Sequence, residues 1–256
     1  MLKHIAAALA LSAGMAAAED IKIGVSPGEH AEILEQVAPI AAARGLNLDI
    51  IEFSDYVVPN TALADGDLQA NSFQHVPYLE NQIKDRGYDL VVVAKTITTP
   101  MGVYSSKLKS LGDLADGATV AIPNDPTNGG RALLVLAEQG LITVNPDAGL
   151  VPTPLDITEN PKDLEFTELD AAQLPRALQD ADAAVINTNY ALSAGLSPKT
   201  DSIAMEKADS PYANVIVVRR GDEGQPWVKT LVEAYHSPEI KQFIETKYEG
   251  AVIPAW

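Results

Sequence analysis

Short apolar strands alternate with amphipathic helices over most of this chain. Residues 21–25 predict a strand, residues 29–44 repeat apolar side chains at helical spacing, and residues 46–53 predict a second strand. Strand–helix–strand alternation is typical of α/β proteins with largely parallel sheets. With 256 residues, 46% of them hydrophobic, the chain can bury a core for one large domain or two smaller lobes.

The alternation continues to the end of the chain. Further strands are predicted at residues 90–94, 101–105, 119–122, 166–169, 183–186 and 213–218. Further helices are predicted at residues 61–65, 76–86, 130–139, 171–179, 227–235 and 238–248.

Two local signals bear on the first helix. Ser26 and Glu29 have the spacing of a capping box, which predicts Pro27 at the first helical position. Pro39 lies inside the helical pattern and is expected to kink or break the helix.

Two segments, residues 96–100 and 208–212, join apolar strands without a helix between them. As extended crossovers they would link a discontinuous first lobe, residues 19–100 and 209–256, to an inserted second lobe, residues 101–208. As ordinary loops they would fit a single domain equally well, so the pattern alone leaves both interpretations open.

The first residues have the features of an export signal. Lys3 and His4 precede a short apolar run that ends at Ala16-Ala17-Ala18, which predicts a signal peptide over residues 1–18, cleaved after Ala18. The run is well short of the roughly 20 residues that span a bilayer. No other stretch is long and apolar enough, so stable membrane insertion is not expected.

The charge balance and the residue types exclude several classes of function. Lys and Arg number 18 against 35 Asp and Glu, a net charge of −17 that disfavours nucleic acid as a partner. The absence of cysteine excludes disulfides and thiol chemistry. After cleavage the histidines are His30, His75 and His236, and none pairs with another at helical ligand spacing. We therefore expect no metal and no cofactor.

One motif points to an enzyme. Residues 24–28 form a G-x-S-x-G sequence between a strand and a helix, the context of a hydrolase nucleophile at Ser26. The oxyanion hole of such an enzyme needs the backbone N–H of the residue after the serine, and Pro27 has none. A secreted serine hydrolase is therefore a disfavoured alternative, and the sequence predicts a protein that is not an enzyme.

Other residues favour recognition of a small ligand. Arg131 follows a strand and a glycine-rich turn, where its guanidinium would hold a carboxylate through a bidentate fork. Asn187 follows another strand and could accept a hydrogen bond from an ammonium group. The apolar wall of such a slot would be formed by Tyr56, Phe73, His75 and Tyr78. Each residue also has a plain structural interpretation, as a surface, turn or core side chain.

Several long blocks of the sequence closely resemble one family, the methionine-binding periplasmic proteins MetQ/NlpA. The resemblance covers residues 21–256 and keeps the order and spacing of every block. It rests on IKIGVSPGEHAEILEQV, FSDYVVPNTALADGDLQANSFQHVPYLE, KTITTPMGVYS, IPNDPTNGGRALLVL, AAVINTNYA and DSPYANVIVVR.

The resemblance implies a two-lobed periplasmic binding protein that closes on L-methionine and delivers it to an ABC permease with its ATPase. Two mostly parallel sheets would be joined by two hinge crossovers, and a monomer would suffice. Arg131 would pair with the ligand carboxylate, Asn187 and Asn214 would hold the head group, and the four aromatic residues named above would line the side-chain pocket. D-methionine, a methionine-containing dipeptide or another apolar amino acid remain alternatives.

The chain departs from the family in one respect. The family is mostly lipid-anchored through a cysteine at the cleavage site, and this chain has no cysteine. The expectation from sequence is therefore a protein without a lipid anchor that diffuses freely in the periplasm.

Overall fold

The computed structural model describes residues 18–207 and 211–256, which form a six-stranded sheet, a five-stranded sheet and a small two-stranded ribbon. The strands are β1 (Glu19–Val25), β2 (Leu46–Glu52), β3 (Ala70–His75), β4 (Leu90–Thr98), β5 (Gly102–Tyr104), β6 (Thr119–Pro123), β7 (Thr143–Val144), β8 (Ile157–Glu159), β9 (Glu165–Leu169), β10 (Ala183–Ile186), β11 (Ser202–Met205), β12 (Ala213–Arg219) and β13 (Ile253–Pro254). The α-helices are α1 (Glu29–Ala42), α2 (Val58–Asp65), α3 (Val76–Arg86), α4 (Pro126–Glu138), α5 (Leu174–Ala177), α6 (Thr188–Ser193), α7 (Pro226–Tyr235) and α8 (Pro238–Tyr248).

The two large sheets build two lobes, which confirms the predicted α/β class. Lobe I is the sheet β13-β4-β12-β3-β1-β2 with its helices, and lobe II is the sheet β11-β5-β10-β6-β9 with its helices. The core of lobe I lies between its sheet and α1, α7 and α8, where Ile23, Leu34 and Leu231 are fully buried. The core of lobe II packs α4 on its sheet.

The pairing within the sheets is mixed, not mostly parallel as the sequence predicted. β1 pairs in parallel with β2 and β3, but β12 runs antiparallel to β3 and β4. In lobe II, β6 is parallel to β9 and β10, while β5 is antiparallel to β10 and β11.

Two of the reversed strands, β5 and β12, are the first ones to enter their lobe from the other, and the short strand β13 is also antiparallel to β4. Gly102 at the start of β5 lies opposite Ile186 at the end of β10, and Asn214 near the start of β12 lies opposite His75 at the end of β3. A strand that arrives from the other lobe therefore starts at the sheet end where its neighbours finish. Strand–helix alternation in the sequence carries no signal for this reversal.

The start of α1 differs from the predicted capping box. Gly28 is the N-cap with φ +89°, no side chain caps the helix, and the Ser26 hydroxyl is buried without a hydrogen-bond partner in the described ranges. The prediction that Pro27 opens the helix was therefore wrong. The helix also continues through Pro39 to Ala42, so Pro39 does not break it.

Other element boundaries moved, and some elements were missed. β3 was not predicted because its ANSFQH sequence is largely polar, although all six residues are buried. The short helix α6 and strands β7, β8, β11 and β13 were also missed. α2 and α4 begin earlier than predicted, at Val58 and Pro126, and part of the predicted helix 171–179 is a 3₁₀ turn, Ala171–Gln173.

Two predictions fall partly outside the described ranges. Residues 1–17 of the predicted signal peptide are not described, nor are residues 208–210, where the second lobe boundary was predicted. Within the described ranges, no helix is both long and apolar enough to cross a bilayer.

Candidate ligand-binding site

A cleft at the junction of the lobes brings together all seven residues predicted for a binding site. The cleft holds about 310 Å³ of space that no protein atom fills. The predicted residues on its wall are Tyr56, Phe73, His75, Tyr78, Arg131, Asn187 and Asn214. They share the wall with His30, Gln74, Thr99, Asn128 and Asn189. Their roles in binding stay a prediction.

Strand ends and helix starts position these side chains. β3 delivers Phe73 and His75, and His75 caps α3 because its Nδ1 accepts the backbone N–H of Tyr78 at 3.1 Å. β6 leads into α4, which carries Arg131, and β10 leads directly to Asn187, the N-cap of α6. Sites outside the carboxyl ends of strands are typical of α/β folds.

Three aromatic rings form one wall. The ring centroids of Tyr56, Phe73 and Tyr78 lie 6.0–6.1 Å apart, and Tyr190 of lobe II lies 5.0 Å from Tyr56. The Tyr78 hydroxyl donates to the Tyr56 carbonyl at 2.9 Å. Burial raises the pKa of the Tyr56 and Tyr78 hydroxyls, so both stay protonated and the wall carries no charge.

Arg131 is almost fully buried and already has a charge partner. Its Nε donates to Glu206 Oε1 at 3.0 Å, and its Nη2 bonds to Glu206 Oε2 and to the Thr99 carbonyl. Tyr212 stacks on the guanidinium, with 4.3 Å from Cζ to the ring centroid.

The Nε–Nη2 edge of Arg131 is therefore occupied by Glu206 and is not free for the bidentate contact that a ligand carboxylate was predicted to make with this guanidinium. A buried guanidinium needs an anion close by, because its desolvation is costly. Nη1 makes no hydrogen bond to the described residues and is the nitrogen left for a ligand.

A chain of side-chain amides crosses the floor of the cleft. Asn128 Nδ2 donates to both carboxylate oxygens of Asp125, at 3.1 and 2.9 Å. Asn187 Nδ2 donates to Asn128 Oδ1 at 2.9 Å, and His75 Nε2 lies 3.2 Å from the same oxygen. Asn187 Oδ1 is buried and has no partner among the described residues.

His75 is held neutral in this network. Burial, and after it the charge of Arg131, lowers the pKa of His75 to about 3. Since its Nδ1 accepts from Tyr78, the single ring hydrogen is on Nε2, which donates to Asn128. Asn214 completes this side of the cleft by donating to Thr99 Oγ1 at 3.3 Å.

The two lobes touch across the mouth of the cleft. The Tyr56 hydroxyl of lobe I donates to Asn189 Oδ1 of lobe II at 2.5 Å, and the Tyr190 hydroxyl donates to the Ser54 carbonyl at 3.1 Å. Gly28 approaches so closely that a Cβ there would lie 2.7 Å from the Asn189 carbonyl oxygen.

Ser26 does not have the surroundings of a nucleophile. It is fully buried, it is not among the residues that line the cleft, and its Oγ has no hydrogen-bond partner, hence no base, among the described residues. No group of three metal-ligating side chains occurs in the described ranges either.

Sequence reasoning missed the groups that hold the binding residues in place. Glu206, Tyr212 and Asp125 were not singled out as functional residues. Glu206 is 75 positions from Arg131 and is one of 35 acidic residues, so no local pattern marks it. Asp125 carries the signal of a helix N-cap before a proline, which predicts a structural role only.

Comparison with known proteins identifies relatives along nearly the whole chain. Residues 21–256 match the family described as NlpA lipoprotein. The D-methionine-binding lipoprotein MetQ of Salmonella typhimurium is 49% identical over 239 residues, 92% of this chain and 88% of the relative.

Solved structures agree with the fold. A nutrient-binding protein from Burkholderia cenocepacia, bound to methionine, is 55% identical with a TM-score of 0.90, over 92% of this chain and 100% of that one. A periplasmic substrate-binding protein of an ABC transporter from Coxiella burnetii is 47% identical with a TM-score of 0.88, over 92% and 100% of the two chains.

These relatives correct one expectation. A protein without a lipid anchor, diffusing freely in the periplasm, was predicted because the sequence contains no cysteine. The matched family and the Salmonella relative are both named lipoproteins, so that prediction was wrong.

The solved binding proteins superpose on this two-lobed chain with TM-scores near 0.9, and the family match runs from residue 21 to the last residue, so the two comparisons agree. They confirm the resemblance drawn from the sequence blocks, and they confirm a binding protein that is not an enzyme. The chain belongs to the NlpA lipoprotein family.

Proposed function

We propose that this protein captures L-methionine between its two lobes and delivers it to the permease of an ABC importer. The observation that carries the proposal is the cleft itself, where a guanidinium, a free amide oxygen and an aromatic wall converge. An amino acid with a long apolar side chain offers a matching carboxylate, ammonium and apolar tail.

Each part of methionine has a complementary group. The carboxylate bonds to Nη1 of Arg131, and the ammonium donates to the unpartnered Oδ1 of Asn187. Asn214 adds a further head-group contact. The thioether lies against Tyr56, Phe73 and Tyr78, where each sulfur–ring contact is worth about 0.3–1.5 kcal/mol.

The closed mouth of the cleft favours a single amino acid over a dipeptide, because the Tyr56 hydroxyl of lobe I and Asn189 of lobe II are hydrogen-bonded across it. The Salmonella relative is named for D-methionine, which makes that enantiomer the main competing ligand. Another apolar amino acid is a weaker alternative, because a pocket discriminates one methylene by only about 1–3 kcal/mol.

The partners follow from the same role. We propose that the permease and its ATPase receive the ligand, as the Coxiella relative's description as part of an ABC transporter suggests. A cleft built from one chain needs only a monomer. The lobes are proposed to comprise residues 19–100 with 209–256 and residues 101–208.

The proposal is tested by titration calorimetry on protein that has been unfolded, dialysed and refolded to remove retained ligand. L-methionine, D-methionine and a methionine dipeptide are compared. Saturable one-to-one binding that is tightest for L-methionine is expected. Tighter binding of D-methionine would overturn the proposal that the L enantiomer is the preferred ligand. The absence of binding heat with all three compounds would overturn the proposed class of ligand.

The site is tested with a double variant, Arg131→Ala/Glu206→Gln, which avoids leaving Glu206 charged and unpaired. Loss of the charged contact to the ligand is expected to weaken L-methionine binding roughly 30-fold or more, since breaking a buried charge pair costs about 2–5 kcal/mol. Parent-like affinity in this variant would show that the carboxylate binds elsewhere.

A further inference from the structure

We infer that Asp125 sets the selectivity of the cleft for a ligand with an amino group, by fixing the direction of the hydrogen-bond chain from Asp125 through Asn128 to Asn187. The inference rests on the proposed function and deepens it. Asp125 is not among the residues that line the cleft, so it acts as a positioning residue.

The first step is that Asp125 orients Asn128. An ionised carboxylate can only accept hydrogen bonds, whereas a side-chain amide has one accepting and one donating end. Asn128 must therefore turn its Nδ2 toward Asp125, and the distances of 2.9 and 3.1 Å fit this. Asn128 Oδ1 consequently faces the opposite way.

The second step is that Asn128 orients Asn187. Asn128 Oδ1 receives Asn187 Nδ2 at 2.9 Å, which leaves Asn187 Oδ1 as the free end of the chain. His75 supports the same direction, because its Nε2 hydrogen also points at Asn128 Oδ1. The carboxylate at one end thus decides that an oxygen, not an NH₂ group, is presented at the other.

The third step concerns the ligand. Asn187 Oδ1 is buried and unpartnered among the described residues, and a buried acceptor left unpaired is costly. An ammonium group has only donors and satisfies it, whereas a ligand with hydrogens on carbon in that place does not. This hydrogen-bond chain therefore selects for the amino group of an amino acid.

The variant Asp125→Asn removes the carboxylate that orients the Asn128 amide, while it keeps the helix cap. Asp125 also caps α4 by accepting the backbone N–H of Asn128 at 2.9 Å, and Asn is an equally good N-cap residue. The new NH₂ group faces Nδ2 of Asn128. Neither orientation of the Asn128 amide can then hydrogen-bond both to the NH₂ group at position 125 and to the Nε2 hydrogen of His75. The orientation of the Asn187 amide is therefore no longer fixed.

The matched control is Asp55→Asn. Asp55 lies just before α2 and accepts the N–H groups of Val57 and Val58, and its charge acts on Tyr78 and Tyr190 as that of Asp125 does. It has no contact with the amide chain. The control therefore removes an equal charge beside the cleft and leaves the direction of the chain intact.

The experiment measures the dissociation constants of L-methionine and of 4-(methylthio)butanoate, which keeps the carboxylate and thioether but lacks the amino group. For the parent and for Asp55→Asn we expect methionine to bind at least 10-fold tighter than the analogue. For Asp125→Asn this ratio is expected to fall by about 10-fold, with the analogue bound as in the parent.

Binding of the analogue also reports that the variant is folded. If the ratio of the two dissociation constants is unchanged in Asp125→Asn, or if the affinities for both ligands fall equally, the inference is overturned and the proposed function stands. Failure of the parent to bind L-methionine at all would overturn the proposed function, and this inference with it.

Discussion

Arg131 and Glu206 form a buried ion pair beside the cleft, and Arg131 is also the residue that we propose for the ligand carboxylate. Their side chains are only 2% and 7% exposed, so neither charge can rely on water for solvation. The pair stabilises the guanidinium while leaving Nη1 for the ligand. A ligand carboxylate would therefore bind to an arginine whose position is already fixed.

We expect Glu206→Gln to destabilise the ligand-free protein by about 3–5 kcal/mol, because it leaves a buried guanidinium without its anion. Saturating L-methionine should recover more stability in this variant than in the parent, since the ligand carboxylate supplies a new partner. Denaturant unfolding with and without ligand measures both effects.

The control is Glu138→Gln, which removes the partner of the largely exposed Lys207. That change should cost no more than about 1 kcal/mol, as is usual for surface ion pairs. Equal effects of the two substitutions would contradict the assigned role of Glu206.

Glu29 is a second buried ionisable group, and it lacks a hydrogen-bond partner within the described ranges on either carboxyl oxygen. Burial raises its pKa to about 8 in the folded protein. The folded state therefore keeps a proton that the unfolded state releases from about pH 4.5 upward. Stability should fall by up to about 1.4 kcal/mol per pH unit between those two values and level off above the folded-state pKa.

The test is denaturant unfolding from about pH 5 to about pH 9 for the parent, Glu29→Gln and Glu35→Gln, a range that spans the folded-state pKa. Glu29→Gln should lose this part of the pH dependence. Glu35 is exposed on the same helix, so Glu35→Gln should keep it. A Glu29→Gln profile that parallels the parent would mean that Glu29 is ionised in the folded state.

At this scale the sequence predicted seven of the side chains that line the cleft. Six of them follow the end of a strand or belong to one aromatic cluster, and Asn214 was predicted from the family resemblance alone. It could not predict Glu206 or the free edge of Arg131. Those depend on which residues of distant segments meet, and Glu206 lies 75 positions after Arg131 in the chain.

The elements that matter most are those at which the lobes touch. The N-cap of α1 in lobe I is Gly28, whose φ of +89° and close approach to Asn189 are both poorly compatible with a side chain. α6 of lobe II carries Asn187, Asn189 and Tyr190, so this contact brings α1 against the helix that bears part of the site.

We expect Gly28→Ala to weaken L-methionine binding, because the new Cβ would lie 2.7 Å from the Asn189 carbonyl oxygen and would oppose closure. Its left-handed backbone should also cost about 1 kcal/mol of stability. Gly45→Ala is the matched control, with φ +83° and no atom within 4 Å of the position that its Cβ would take. Calorimetry and denaturant unfolding separate the two effects.

Both variants should lose similar stability, but only Gly28→Ala should lose affinity. A parent-like affinity in Gly28→Ala would mean that the α1–α6 approach is not part of the ligand-bound state. The capping-box prediction failed here because Ser-x-x-Glu spacing cannot reveal that a glycine conformation is imposed by a neighbouring helix.

β3 is a strand that the sequence pattern did not predict. Asn71 and Gln74 are buried polar residues that share hydrogen bonds with Asn60 of α2, at 2.7–2.9 Å, and Gln74 also donates to Asn71 at 3.0 Å. Such a strand has neither an apolar run nor a regular alternation, so its sequence does not read as buried structure. The polar interior nevertheless supports the strand that delivers Phe73 and His75 to the cleft.

On the scale of the whole molecule, the alternation of strands and helices was enough to predict an α/β protein. The two extended crossovers fitted two lobes or a single domain equally well, and only the family resemblance favoured two lobes. The direction of β5 and β12 was beyond that pattern, because it follows from where the chain re-enters each sheet. That reversal brings the strand ends of both lobes to one cleft. The resulting fold suits a hinge closure around a ligand.

The central claim is that this cleft retains one methionine, and native mass spectrometry of the purified protein tests it most directly. We expect one bound species with the mass of methionine, removed by unfolding and dialysis and restored at one per chain when L-methionine is added back. A refolded protein that shows no adduct with added L-methionine, or that binds several without saturation, would contradict the account.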